Sequence, residues 1–267
     1  MHYVDEGQGS PILFLHGNPT WSFLYRHLIS SLRDRYRCVA LDYPGFGLSD
    51  RPTGYGYTPG EQAGVVGEVV DQLGLDGMVI MGHDWGGPIG LAAACARPDR
   101  VAGLLLGNTW FWPSERRARI FSAVMSSPPM RWAVRERNFF VERILPAGVA
   151  RRLTAEELEH YRAVQPTPAH RAGVVEFPRQ IVAATPWLEQ LARDVPERLG
   201  AKKTLITWPG RDVAFPEKPM LRQVCSAFRD VTVVRLPTAK HFFPEDASEE
   251  VAAAITDRVS PASSTAD

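Results

Sequence analysis

The sequence predicts an α/β protein: a mostly parallel sheet flanked by helices and interrupted by a helical insertion. Three observations predict it. Short apolar runs closed by Gly or Pro recur in both outer parts of the chain, helical patterns lie between them, and this alternation stops between residues 113 and 198. A run of four to eight apolar residues bounded by turn formers is the signature of a strand buried on both faces.

Strands are expected at 11–15, ending at His16 and Gly17, and at 37–41, ending at Asp42, Tyr43, Pro44 and Gly45. Others are expected at 77–81 before Gly82, 101–106 before Gly107, 204–208 before Pro209 and 231–236 before Pro237. Helical patterns occupy 60–73 and 87–97, the latter closed by Pro98. The stretch 113–198 is rich in Arg, aromatics and Pro, with helical patterns near 115–126, 130–143, 154–163 and 179–192. A structureless loop of that length does not suit a compact domain. A helical cap over the strand ends is therefore expected at 113–198, on a core made of residues 1–112 and 199–267. Residues 260–267 are small and polar and are expected to fray.

Composition narrows the function. The 267 residues carry 30 basic and 30 acidic side chains, for a formal net charge of zero. No basic stripe is present to neutralise phosphates, so no nucleic-acid partner is expected. No apolar run approaches the ~20 residues that span a bilayer, so no membrane partner is expected. The first six residues are polar and acidic, unlike a signal peptide, and a cytoplasmic location is expected. Cys38, Cys95 and Cys225 lie far apart and read as buried apolar residues. Neither a metal site nor a cofactor is expected, since no His-Glu-x-x-His motif or Cys/His cluster occurs.

The chemistry centres on Gly82, His83, Asp84, Trp85 and Gly86, directly after an expected strand and before an expected helix. This is the pattern of the strand–turn–helix nucleophile elbow of the α/β-hydrolase fold, with Asp in place of the usual Ser. Small flanking residues are needed because the turn is sharp. A carboxylate there sits at a helix N-terminus, where free N–H groups favour negative charge. An Asp nucleophile suits attack on saturated carbon bearing a leaving group, giving an enzyme ester that water must hydrolyse. Alkyl halides and epoxides are the natural substrates. No Gly-x-Ser-x-Gly occurs, which disfavours a Ser esterase.

Hydrolysis of the ester needs a base. His241 follows the last expected strand, and Asp212 follows the one before it. The order Asp84, Asp212, His241 reproduces nucleophile, acid and histidine for this fold, the acid fixing the tautomer of the base. The alternative position for the acid, after 101–106, reads Asn108, Thr109 and Trp110, with no carboxylate. Backbone N–H groups of Asn18 and Trp85 are assigned to the oxyanion hole. Their side chains also carry N–H donors that could cradle a departing halide. His16 and His83, beside the key turns, are read as structural.

These residues resemble the haloalkane dehalogenase family. The resemblance is carried by His16 to Ser22, Asp42 to Ser49, His83 to Gly90, the segment Tyr161 to Pro168, and His241 to Asp246, and covers nearly the whole chain. An acid after the late strand, with an Asn–Trp pair, resembles the subgroup with an Asp-His-Asp triad plus Asn18 and Trp85 as halide ligands. The resemblance implies cofactor-free hydrolysis of a haloalkane to an alcohol, halide and a proton. In that family residues 2–6 would be the second strand of an opening pair. An N-terminal strand is therefore expected to be missing or to lie upstream, and the bare sheet edge would favour self-association. Trp110, Phe111 and Trp112 crowd the start of the cap, as pocket lining, halide contacts or hinge packing.

The closest rival is an epoxide hydrolase, which shares the nucleophile, base and acid but needs acidic donors from the cap, usually tyrosines. Tyr161 is the only tyrosine between 113 and 198. A fluoroacetate-type dehalogenase would be expected to carry Arg close to the nucleophile, where Trp85 and Gly86 stand. A non-catalytic receptor on the same shell would need no such set of residues.

Overall fold

The inner strands of the sheet are apolar on both faces. In the computed structural model, which describes residues 1–259, seven strands form one sheet. They are β1 (Tyr3–Glu6), β2 (Pro11–Leu15), β3 (Arg37–Leu41), β4 (Met78–His83), β5 (Val101–Gly107), β6 (Lys203–Pro209) and β7 (Val231–Leu236). Their order is β1-β3-β2-β4-β5-β6-β7, with β1 antiparallel to β3 and every other pair parallel. The expected runs are all strands. β4 extends to His83, so the strand feeds directly into the turn at Asp84. The expected fraying of 260–267 lies outside the described residues.

Side-chain alternation explains why these strands read as unbroken apolar runs. Leu13, Leu15, Val39, Leu41, Met78 and Ile80 point into one hydrophobic cluster. Their neighbours Ile12, Phe14, Cys38, Ala40, Val79 and Met81 point into the other. Helices cover both faces: α1 (Arg26–Leu32), α2 (Pro59–Gln72), α3 (Gly86–Ala96) and, beyond the insertion, α10 (Glu217–Ser226), α11 (Phe243–Asp246) and α12 (Ser248–Arg258). The start of α2 is set by a capping box, Thr58 and Glu61 each bonding the other's backbone N–H, with Pro59 in the first turn. Such a cap stabilises a helix by about 1 kcal/mol. Among the described residues, no helix is long and apolar enough to cross a membrane.

Residues 113–198 are helical and contain no strand. They form α4 (Arg116–Met125), α5 (Pro128–Arg137), α6 (Leu145–Ala147), α7 (Ala155–Ala163), α8 (Ala172–Ala183) and α9 (Thr185–Arg198). Two sequence expectations are corrected here. The helix expected at 130–143 ends at Arg137, because Asn138 turns left-handed at φ +50°, and a π-helical turn follows over Phe140–Ile144. Buried Val134, Asn138 and Val141 keep helical spacing across that break, so periodicity alone joins the two pieces. The helix expected at 179–192 is the end of α8 and the start of α9. Ile181, Ala184, Leu188 and Leu191 stay buried at three- and four-residue spacing through the junction. Pro186, which has no N–H to donate, fits the first turn of a new helix.

An ion-pair network ties this insertion to the sheet layer. Glu245 is buried and accepts from Arg26 (2.7 and 2.8 Å), Arg151 (2.5 Å) and the Tyr161 hydroxyl (2.5 Å). Glu157 in α7 accepts from the same two arginines, at 2.7 and 2.8 Å. Opposite charges with satisfied hydrogen bonds can share a buried site that neither would tolerate alone.

Candidate active site

The turn between β4 and α3 puts Asp84 in the left-handed region, at φ +52°. For a residue with a side chain that conformation costs of order 1–3 kcal/mol and persists only where its surroundings impose it. The Asp84 backbone is held from both sides: its N–H donates to the Asn108 carbonyl at 3.1 Å, and its carbonyl accepts the Thr109 hydroxyl at 2.8 Å. The flanking glycines are steric necessities. A Cβ on Gly86 would run into the carbonyl of Leu15, and one on Gly82 would lie 2.7 Å from the Cα of Gly87.

The side chain of Asp84 is mostly but not fully buried, at 13% exposed. Its Oδ1 accepts the Asn18 backbone N–H at 3.0 Å. Burial lifts its carboxyl above the usual carboxylate range, against the pull of His241 and of the N–H groups of Trp85 and Asn18. The two backbone donors expected at the oxyanion position therefore both bear on this side chain.

His241 stands opposite. Its Nε2 is 3.9 Å from Asp84 Oδ2, too far for a hydrogen bond. Its Nδ1 lies 2.7 Å from Asp212 Oδ2. An ionised carboxylate only accepts, so Nδ1 carries a proton, and in the neutral imidazole Nε2 presents a lone pair towards Asp84. Burial works against the imidazolium, but the charge and hydrogen bond of Asp212, aided by Asp84, outweigh it and raise the His241 pKa. For Asp212, burial is outweighed by His241 and by the N–H groups of Ala214 (2.7 Å) and Phe215 (3.3 Å), so its pKa falls.

The other predicted site residues converge here as well. Asn18 donates its side-chain amide to the carbonyl of Val174 in α8 at 3.3 Å. Trp85 is buried, stacked on Phe177 of α8 at 5.2 Å and edge-on to Trp110 at 4.7 Å. The insertion thus closes over the turn through α8. Trp110 Nε1 is buried with no hydrogen-bond partner among the described residues. Trp112 is buried against Phe111, away from these contacts.

The α/β-hydrolase fold model matches residues 10–248. Haloalkane dehalogenase 2 of Mycobacterium tuberculosis is 58% identical over 259 residues, covering 97% of this chain and 91% of that protein. The chain belongs to the haloalkane dehalogenase family. A cis-3-alkyl-4-alkyloxetan-2-one decarboxylase of Xanthomonas campestris is more distant, at 32% identity over 96% of this chain and 90% of its own. Among solved structures, a haloalkane dehalogenase from Agrobacterium tumefaciens C58 superposes with a TM-score of 0.84 at 26% identity, covering 95% of this chain and 90% of that one.

Family membership disfavours the epoxide-hydrolase alternative, and the place of Tyr161 explains why. Its hydroxyl is fully buried and bonded to Glu245, in the ion-pair network rather than beside Asp84. Burial and the carboxylate hold its pKa far above the normal range, the reverse of what a proton donor to an epoxide needs.

His16 and His83 are both fully buried and hydrogen-bonded to backbone. His83 is buried and its pKa is pushed down to about 3, by burial first and then by His241. It is therefore neutral, and its Nε2–H donates to the His241 carbonyl at 2.9 Å. His16, lowered by burial to about 4, donates from Nδ1 to the Gly17 carbonyl and accepts the Tyr43 N–H. The one cluster of metal-ligand type among the described residues is His27, Glu157 and Glu245. Arg26 and Arg151 already neutralise both carboxylates there, so a cation would have to displace two guanidinium groups.

Asn108 is the residue whose part sequence reasoning missed. It was noted only for lacking a carboxylate. At φ +43° it turns its amide onto Asp212 Oδ2, the oxygen that also takes His241 Nδ1, while its carbonyl takes the Asp84 N–H. One residue thus braces both, Asp212 through its side chain and the Asp84 backbone through its own carbonyl. The available signal was Asn, the non-glycine residue most at ease at positive φ, directly after the Gly that ends β5.

Proposed function

We propose that this chain hydrolyses the carbon–halogen bond of haloalkanes through an ester on Asp84. In the first step Asp84 Oδ attacks the carbon bearing the halogen, a carbon–oxygen bond forms, and halide leaves with the bonding pair. In the second, His241 Nε2 takes a proton from water, whose oxygen adds to the Asp84 carboxyl carbon. The ester collapses to the alcohol, Asp84 regains its charge, and the proton leaves from His241 to solvent. The observation that carries the reading is Asp84 on a strained turn with His241 Nε2 at 3.9 Å. That spacing suits a water between base and ester better than a direct bond.

Each neighbour has a part in these steps. Asp212 holds the tautomer of His241 and balances the imidazolium that forms. The backbone N–H groups of Asn18 and Trp85 stabilise the oxyanion of ester hydrolysis. The Trp85 indole and the second amide N–H of Asn18 receive the departing halide, and charge growing on the halide strengthens those bonds in the transition state. Trp110 borders Trp85 with a buried donor that lacks an acceptor, an arrangement that costs stability unless a ligand supplies one. The helices of 113–198 act as a cap, α8 forming the roof.

Purified protein given short bromoalkanes should release bromide and acidify weak buffer in equal amounts. Trp85→Phe should slow bromide release and weaken halide quenching of tryptophan fluorescence. Opening of epoxides with no halide release across bromo- and iodoalkanes would refute the reading.

A further inference from the structure

We propose that the outer face of α4, extended by α5, is a docking surface for an anionic lipid bilayer. Only one side of α4 is used inside the protein: the Ser122 hydroxyl donates to the Pro178 carbonyl of α8 at 2.7 Å, and Met125 is buried. The opposite side carries Ile120, Phe121 and Val124, which are 54%, 42% and 53% exposed. Trp132 of α5 is 55% exposed. Apolar side chains of that size scattered singly would need no explanation, but three within five residues on one helix face do.

Charge defines the partner. Residues 115–137 hold six arginines against two glutamates, in a chain whose formal charges balance overall. Arg116, Arg117 and Arg119 fall in the first turn of α4, which contains no acidic residue. A helix N-terminus is the positive end of the dipole, so three cations there oppose the stability of the helix. A shallow groove of about 270 Å³ between α4 and α8, lined by Arg119, Ala123 and Val182 among others, continues the apolar stripe beside Arg119, while Arg179 on its α8 side is paired with Glu176.

An apolar stripe bordered by arginine is the pattern of a helix lying in a bilayer interface, the apolar side chains sinking below the headgroups and the cations meeting lipid phosphates. A second copy of the chain fits less well, because a two-fold contact would set this arginine-rich patch against itself. The expectation of no membrane partner rested on the lack of a spanning segment, which bears on insertion and not on surface binding. Docking does not depend on the proposed reaction, although haloalkanes partition into bilayers and would be concentrated there.

The test uses the full chain and sedimentation with vesicles of phosphatidylcholine, pure or with roughly one-third phosphatidylglycerol. Several-fold more protein should sediment with the anionic vesicles. The combined variant Ile120→Ser, Phe121→Ser and Val124→Ser should lose binding to both. Arg116→Gln, Arg117→Gln and Arg119→Gln together should lose the preference for anionic lipid. Circular dichroism and bromide release from a water-soluble bromoalcohol should be unchanged in both variants. Absence of sedimentation with either vesicle, or equal sedimentation with both, would overturn the proposal. So would a wild-type dimer in size-exclusion chromatography that the serine variant converts to monomer, since a second copy would then cover the patch.

Discussion

Asp84 and Asp212 are the same side chain in two neighbouring regions, and they are pushed in opposite directions. Asp84 sits on the elbow after β4, where burial dominates and its pKa rises. Asp212 sits in the loop after β6, where His241, two backbone N–H groups and the Asn108 amide surround it and its pKa falls. A carboxylate that is poorly stabilised gains by sharing its charge with carbon. One that is fully hydrogen-bonded stays an anion and steadies the imidazolium beside it. In the proposed mechanism, environment and not residue type divides the labour between nucleophile and orienting acid.

The largest way to break this contrast is to remove the nucleophile. Asp84→Asn should lower halide release by at least about 10⁴-fold, since a neutral amide cannot displace halide. The protein should still fold and quench with halide, because Trp85 and Asn18 remain. Next comes the orienting acid. Asp212→Asn should cut turnover by roughly 10²–10⁴-fold, the scale for losing the partner that fixes a catalytic histidine. The sign of the accompanying pH effect follows from the raised pKa of His241: the base is lost as pH falls through that value, so wild type should lose activity on the acid side above the ordinary histidine value of 6.5. With the charge of Asp212 gone, that limb should move to lower pH while the plateau falls.

The smallest effect sharpens the comparison most. Asn108→Gly keeps the positive φ that the turn needs and deletes only the amide. One lost hydrogen bond to a charged group predicts about a 10-fold drop in turnover. Asp212 would then direct more of its charge at His241, so the acid limb should shift upward, opposite to Asp212→Asn. Rate–pH profiles of the two variants measure this directly, and a downward shift for Asn108→Gly would show that the amide acts otherwise.

Legibility follows the same division. Strands with both faces buried announce themselves as apolar runs, and Asp84, Asp212 and His241 follow β4, β6 and β7 as the sequence indicated. The elbow was readable because Gly82 is forced by backbone only a few residues away, although Gly86 is forced by the distant carbonyl of Leu15. The insertion was readable as helical but not in its joints: helical spacing runs through the breaks at Asn138 and Ala184, so the pattern that reveals a helix also hides its end. Asn108 was hidden for another reason. Its amide meets a residue 104 positions away, and its backbone braces one 24 positions before it, pairings that only the parallel alignment of β4, β5 and β6 creates. The ion-pair network of Arg26, Arg151, Glu157 and Glu245 escaped notice likewise, each member looking like an ordinary surface charge in sequence.

The central claim is that an oxygen of Asp84 becomes the oxygen of the alcohol. Multiple turnovers in ¹⁸O-labelled water, followed by mass spectrometry of the peptide containing Asp84, test it most directly. The account predicts heavy oxygen in the Asp84 carboxylate and, for His241→Ala, a single burst of halide with an alkyl ester retained on that peptide. An unlabelled Asp84 after many turnovers, with all the label in the alcohol, would mean that water attacks the substrate directly and would contradict the account.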